Sequence, residues 1–187
     1  LHPVETRRTT VACNWKLLND MGMEGYHVPY LHASSLQGST LRESIHDSFG
    51  RHQRIGFASP EVASERFLDA PAAEQLAHLT LTTFLYPATI VVVGGASVVL
   101  QRVAPAGSPG RSELQMTTYS WAPLDEAGAE RGRAFFTFLW NLVIDEDVRA
   151  QEGCQRAFAS GLLPEITFGA NEPALHALHH AWDEALG

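Results

Sequence analysis

Two imidazoles and a carboxylate stand close together in Glu24-Gly25-Tyr26-His27-Val28-Pro29-Tyr30-Leu31-His32. Neutral imidazole suits iron, copper, nickel and zinc, and two histidines with one carboxylate and open positions favour Fe(II). Residues three apart share a helix face, so Glu24 and His27 meet if residues 15–27 are helical. Residues five apart diverge by roughly 140° on a helix of 3.6 residues per turn, so His27 and His32 cannot converge on an unbroken one. Pro29 supplies the break. It ends or kinks a helix and pushes its predecessor towards extended geometry, which puts His27 on a last helical turn and His32 on the segment leaving it.

A third ligand has to come from far along the chain. The best acidic cluster is Asp145-Glu146-Asp147, after the apolar run Ala134–Trp140. From Val148 to Ser160 the spacing is helical, with Val148, Cys154, Ala157 and Phe158 forming a stripe. Acids also suit a helix start, where they cap free N–H groups and meet the positive end of the dipole. Capping accounts for two of the three and leaves one for an ion.

Asn14-Trp15-Lys16-Leu17-Leu18 followed by Glu24 to His32 resembles the iron-binding segment of the α subunits of Rieske non-haem iron (aromatic-ring-hydroxylating) oxygenases. The Gly25-Tyr26-His27-Val28-Pro29-Tyr30 form is similar to the choline and carnitine monooxygenase branch, and Glu146-Asp147 with Gln151-Glu152 and Gln155 resembles the family's downstream ligand region. The resemblance implies that His27, His32 and Asp147 hold the iron, with Asp145 as the reserve for the third place. It implies that Glu24 links the iron site to a neighbouring subunit's Rieske cluster. Asp20 departs from the asparagine common in the family. The implied fold is α+β, an antiparallel sheet wrapped around a long C-terminal helix (helix-grip, Bet v 1-like).

A Rieske [2Fe–2S] cluster needs two Cys and two His in C-x-H and C-x-x-H motifs. Cys13 and Cys154 are the only cysteines and neither sits in such a motif. The chain is therefore expected to be a single catalytic domain, residues 1–187, either cut away from its Rieske domain, with Leu1-His2-Pro3-Val4 the end of an interdomain linker, or the product of a gene that lost that half. The 45% hydrophobic content fits a globular domain large enough for its own core. The longest apolar runs are too short to span a bilayer, no signal peptide is recognisable, and two cysteines do not suggest a secreted scaffold. No membrane association is expected, and the cytoplasm is the expected compartment. A net charge of −8 argues against a nucleic-acid partner.

The elements that must position these groups follow from periodicity. Residues 4–13 read as a strand leading in and Trp15 to His27 as a helix. Pro29 to Thr40 is a loop, 44–58 are strands turning near Gly50, and 60–77 are a short helix or lid. Leu79 to Tyr86, Thr89 to Val103 with a hairpin turn or a bulge at Gly94-Gly95, and Glu113 to Trp121 read as strands. The acidic cluster precedes a long helix, and a C-terminal helix starts at Asn171-Glu172-Pro173.

By resemblance, Fe(II) would use O₂ as co-substrate to hydroxylate or oxidatively demethylate a small organic substrate. Electrons would come from the Rieske [2Fe–2S] cluster and ultimately NAD(P)H through a separate reductase, in a homotrimer. The isolated domain should bind iron yet turn over poorly. Phe84, Phe136, Phe138 and Trp140 are candidate cavity walls, with Tyr26 and Tyr30 as further candidates. An aromatic cage would suit a quaternary ammonium substrate. His176, His179 and His180 read as surface residues, and Ser34-Ser35 carries no nucleophile motif. The alternatives are a helix-grip ligand-binding module without redox chemistry and a zinc hydrolase.

Overall fold

Alternating and β-branched runs form seven strands: β1 (His2–Val11), β2 (Ser44–Phe49), β3 (His52–Ala58), β4 (Leu79–Leu85), β5 (Thr89–Gly94), β6 (Ser97–Pro105) and β7 (Ser112–Ser120). The computed structural model describes residues 1–36, 38, 43–63, 70–95, 97–163 and 165–187. All seven strands join one antiparallel sheet in the order β1-β7-β6-β5-β4-β3-β2. Six are successive hairpin neighbours. β1 crosses to the far edge, where Arg7 pairs with Met116 and Val11 with Ser112. Gly50 (φ +63°) and Gly95 (φ +55°) take left-handed turns between β2 and β3 and between β5 and β6, a conformation that glycine adopts without a Cβ clash.

The helices are α1 (Trp15–Met21), α2 (Val28–Leu31), α3 (Ala72–Ala77), α4 (Glu126–Leu142), α5 (Arg149–Ala159) and α6 (Pro173–Leu186), with a π-helical stretch, Val143–Val148, joining α4 to α5. The fold is α+β, a sheet holding a long helix, as the resemblance implies. α4 lies against β1 and β7, α1 against β6, and α6 against β2 and β3. Two apolar clusters fill the space beneath them. One gathers Leu17, Val99, Met116, Phe136 and Val143; the other gathers Met23, Ile55, Phe84, Leu178 and Trp182.

Four local expectations need correction. The helix from Trp15 stops at Met21 with Gly22 as its C-cap, and residues 23–27 are not helical. Pro29 opens α2 rather than closing the earlier helix, because its fixed φ suits a first turn. The cluster Asp145–Asp147 caps nothing: it lies mid-helix in the π turn, and the cap belongs to Asp125, which accepts from Gly128 N at 2.7 Å. Likewise α6 has no side-chain cap; Glu172 turns back to accept from Gly169 N. Part of the Pro29–Thr40 loop (37, 39–40) and part of the 60–77 lid (64–69) lie outside the described residues.

Both cysteines are free. Cys13 is fully buried, and burial, with Glu152 nearby, pushes its thiol up to about 11. Cys154, expected in the buried stripe of its helix, is exposed instead. A thiol reagent at neutral pH should modify Cys154 promptly and reach Cys13 only after unfolding, since the thiolate is the nucleophile. Quantifying labelled thiols by mass before and after denaturant checks this.

Candidate metal centre

The loop after α1 is built by Glu24. Its Oε2 accepts from Tyr26 N at 2.6 Å and His27 N at 3.1 Å, and its Oε1 binds His27 Nδ1 through a short contact. Glu24 thus meets His27 through a turn rather than a helix face. α2 then carries the chain to His32, whose Nδ1 lies 2.7 Å from Glu146 Oε2. Ser35 Oγ donates to that same oxygen at 2.9 Å. Each imidazole therefore gives its Nδ1 proton to a carboxylate, and each Nε2 points inward.

Asp147 meets them from the long helix. Its Oδ1 is 2.9 Å from His32 Nε2 and 4.0 Å from His27 Nε2. This oxygen is buried and, although it stands in ion-pair range of His32, it has no geometrically defined hydrogen bond to any described residue. One donor atom from each of His27, His32 and Asp147 lies within 4.8 Å of the others. Two ligands about 2.1 Å from one ion stand up to about 4.2 Å apart, so a slight inward rotation of the widest pair completes a three-ligand set. Among the described residues, the charged groups bonded to the two imidazoles, Glu24, Glu146 and Asp147, are all acids, and such a field draws a cation.

Burial opposes protonation of His32, but Asp147 and Glu146 outweigh it and raise its pKa above the ordinary 6.5. The His32 hydrogen bond holds Glu146 below the usual carboxylate range. Asp145, the reserve candidate, is exposed and stands outside the cluster. The π turn matters here, as such turns often do at functional sites: it brings consecutive residues, Glu146 and Asp147, to opposite nitrogens of the same His32 ring.

The long helix is tied to the segment carrying the histidines. Glu152 Oε1 accepts from Ala12 N and Gln155 Oε1 from Asn14 N, both at 2.9 Å. Asn14 in turn caps α1 by accepting from Lys16 N. These bonds give the downstream Glu and Gln a local task, holding Asp147 in step with His27 and His32.

A cavity of about 230 Å³ opens beside the cluster, reached by Glu24, His27, His32 and Asp147. The expected aromatic walls are elsewhere. Phe84 and Phe136 are fully buried in the core, Phe138 is partly exposed, and neither they nor Trp140 line this space. Tyr26 and Tyr30 point outward, half and three-quarters exposed. Only Phe84 is on a strand; Phe136, Phe138 and Trp140 lie on α4, and an aromatic run marks burial without saying which face of its element borders a cavity. Sequence reasoning also set aside Ser35 and His179. Ser35 supports Glu146, and His179 Nε2 lies 2.8 Å from Asp20 Oδ1. Burial raises the Asp20 pKa, with His179 opposing it. The helical offset of His179 from Leu175, Leu178 and Trp182, all buried, was the available signal.

A helix-grip domain with two imidazoles and a carboxylate converging at an apolar cavity defines a catalytic domain of the ring-hydroxylating kind. The chain belongs to the family of ring hydroxylating alpha subunits (catalytic domain), whose sequence profile matches residues 1–187. No curated protein sequence matches it. Among solved structures it is similar to the quaternary ammonium Rieske monooxygenase CntA in complex with substrate L-carnitine, with a TM-score of 0.70 at 13% identity over 95% of this chain and 46% of that one. It is similar too to dicamba monooxygenase bound to dicamba, with a TM-score of 0.68 at 14% identity over 96% of this chain and 57% of that one. The chain thus spans about half the length of these proteins. No helix among the described residues is long and apolar enough to cross a membrane.

Proposed function

We propose that this domain binds one Fe(II) through His27 Nε2, His32 Nε2 and a carboxylate oxygen of Asp147, and oxidises a small organic substrate held in the adjoining cavity. The observation that carries this reading is the buried Asp147 oxygen, which lacks a hydrogen bond yet faces two imidazole nitrogens whose opposite nitrogens are already engaged. When bound, Fe(II) supplies O₂ activation at positions its protein ligands leave open, using electrons from outside the domain.

The chain's own residues prepare that chemistry. Glu24 and Glu146 fix the proton on each Nδ1, set the ring orientation and raise ligand basicity, as carboxylates commonly do behind metal-bound histidines. The apolar cavity walls exclude water from the reacting region. His27 is the most open of the three ligands, at 21% side-chain exposure against 3% and 8% for His32 and Asp147, so access lies on its side.

Glu24 also borders an outer cleft of about 310 Å³ lined by Tyr26, His46 and Asn171. That position between cleft and cavity supports a role for Glu24 in receiving electrons from a Rieske [2Fe–2S] domain of a neighbouring subunit. One related CntA structure is described in terms of inter-subunit electron transfer. We extend that to a trimeric whole protein in the cytoplasm, fed from NAD(P)H by a reductase. Monooxygenation is the favoured outcome, since both similar structures are monooxygenases.

Anaerobic titration with Fe(II), followed by removal of loose ion and metal analysis, should give one iron per chain; none retained would overturn the reading. Glu146→Gln should keep the stoichiometry and weaken affinity about 10–100-fold, the usual effect of losing a supporting group behind a ligand. A competition titration against a chelator measures it.

A further inference from the structure

The cavity beside the cluster is small and almost without charge. At about 230 Å³ it falls below the roughly 300–1,000 Å³ of drug-sized sites, so its occupant is about one ring in size. Strand register sets its back wall. Thr82, Val92 and Val99 form one row across β4, β5 and β6, and Ile90, Gln101 and Met116 form the parallel row across β5, β6 and β7.

Among the described residues, no Lys, Arg, Tyr or Trp lines the cavity, and Phe57 is the one phenyl ring. Of the charged side chains at its edge, Glu24 is bonded to His27 and Asp147 is the carboxylate committed to the proposed iron. Gln101 is the longest neutral polar side chain in the wall. Its Nε2 makes only a long contact, 3.8 Å, to Met116 Sδ, and its Oε1 has no protein partner among the described residues.

Resting on the oxygenase reading above, we infer that the substrate is an uncharged, single-ring molecule with one hydrogen-bond donor, which Gln101 Oε1 accepts. The site rejects quaternary ammonium ions and carboxylates alike. A buried cation needs stacked aromatic faces or an uncommitted carboxylate, and a buried carboxylate needs a guanidinium or ammonium. The described residues of this wall offer none of these. Gln101 is thus the specificity-determining residue of the site.

The test measures saturable binding of four ring-sized probes to the full chain by calorimetry, with and without Fe(II): phenol, anisole, benzoate and phenyltrimethylammonium. Phenol should bind about 2–10-fold more tightly than anisole, the span of one net hydrogen bond, and more than about 10-fold more tightly than either ion. Gln101→Leu should lower phenol to the level of anisole and leave anisole affinity intact. Gln101→Glu should raise phenyltrimethylammonium binding, a gain that a misfolded variant cannot produce. The inference is overturned if phenol does not bind, if either ion matches phenol in the native chain, or if the phenol preference survives in the Gln101→Leu variant. Iron counted in the same samples separates the two readings. A chain that holds no iron but keeps the Gln101-dependent preference sinks the oxygenase assignment alone; one that holds iron and fails the probe series sinks this inference alone.

Discussion

Asp147→Ala is expected to abolish stoichiometric Fe(II) retention, while Asp145→Ala retains one iron per chain. The contrast follows from position. Asp147 is 6% exposed with an oxygen aimed at both imidazoles, and Asp145, two residues earlier, faces solvent. Losing one of three protein ligands should weaken affinity by more than the roughly 10–100-fold typical of a supporting group. The Asp147→Ala fold should survive, because Oδ1 makes no hydrogen bond and His32 keeps its bond to Glu146. Thermal melts supply a second measurement. A ligand that binds only the native state at about 100 times its Kd adds about 2.7 kcal/mol, so Fe(II) should raise the melting temperature of the native chain and of Asp145→Ala and leave Asp147→Ala unmoved. His27→Ala should behave like Asp147→Ala. Iron held by Asp147→Ala and lost from Asp145→Ala would hand the third position to Asp145 and require the π turn to unwind.

The residues that meet at the cluster were legible because their chemistry is scarce. His27, His32 and an acid near position 147 stand out by type, and the β-branched runs marked the strands, with Gly94-Gly95 open to a turn or a bulge. The path between the residues was not legible. Glu24 and His27 are three apart, which fits a helix, but the same spacing fits a carboxylate wrapping the next backbone amides, and Gly22 tips the chain to the latter. Proline sets φ at about −65°, a value compatible with both ending and beginning a helix, and the residues around Pro29 chose the second. The acid cluster misled for a different reason. Composition cannot distinguish acids that start a helix from acids within a helix that continues through a π turn. The cavity lining was least accessible, since it depends on which of two buried faces each strand turns to the helices.

The largest loss of stability is expected from Trp182→Ala, in the second apolar cluster. Trp182 is 1% exposed. Its ring meets Trp15 at 5.0 Å, Phe84 at 6.0 Å and His179 at 5.1 Å, all edge-on, and its Nε1 donates to Pro87 O at 3.0 Å. It therefore joins α6 to α1 and to the sheet at one point. Truncating a buried Trp to Ala costs about 3–5 kcal/mol, and the Pro87 carbonyl left unpaired moves the value towards the upper end. Against a total of about 5–15 kcal/mol for a domain, that is a large share. Urea unfolding should show the midpoint falling with the slope unchanged, and the melting temperature should drop by about 6–20 °C at roughly 2–4 °C per kcal/mol for this size. Trp121→Ala is the matched control. Trp121 is 56% exposed, and its removal should stay within about 0.5 kcal/mol. Because α1 leads directly into the Glu24 turn, Trp182→Ala should also loosen iron binding, whereas Trp121→Ala should not. Equal stability of the two variants would mean that the junction of α6, α1 and β4 is not packed as the ring geometry requires.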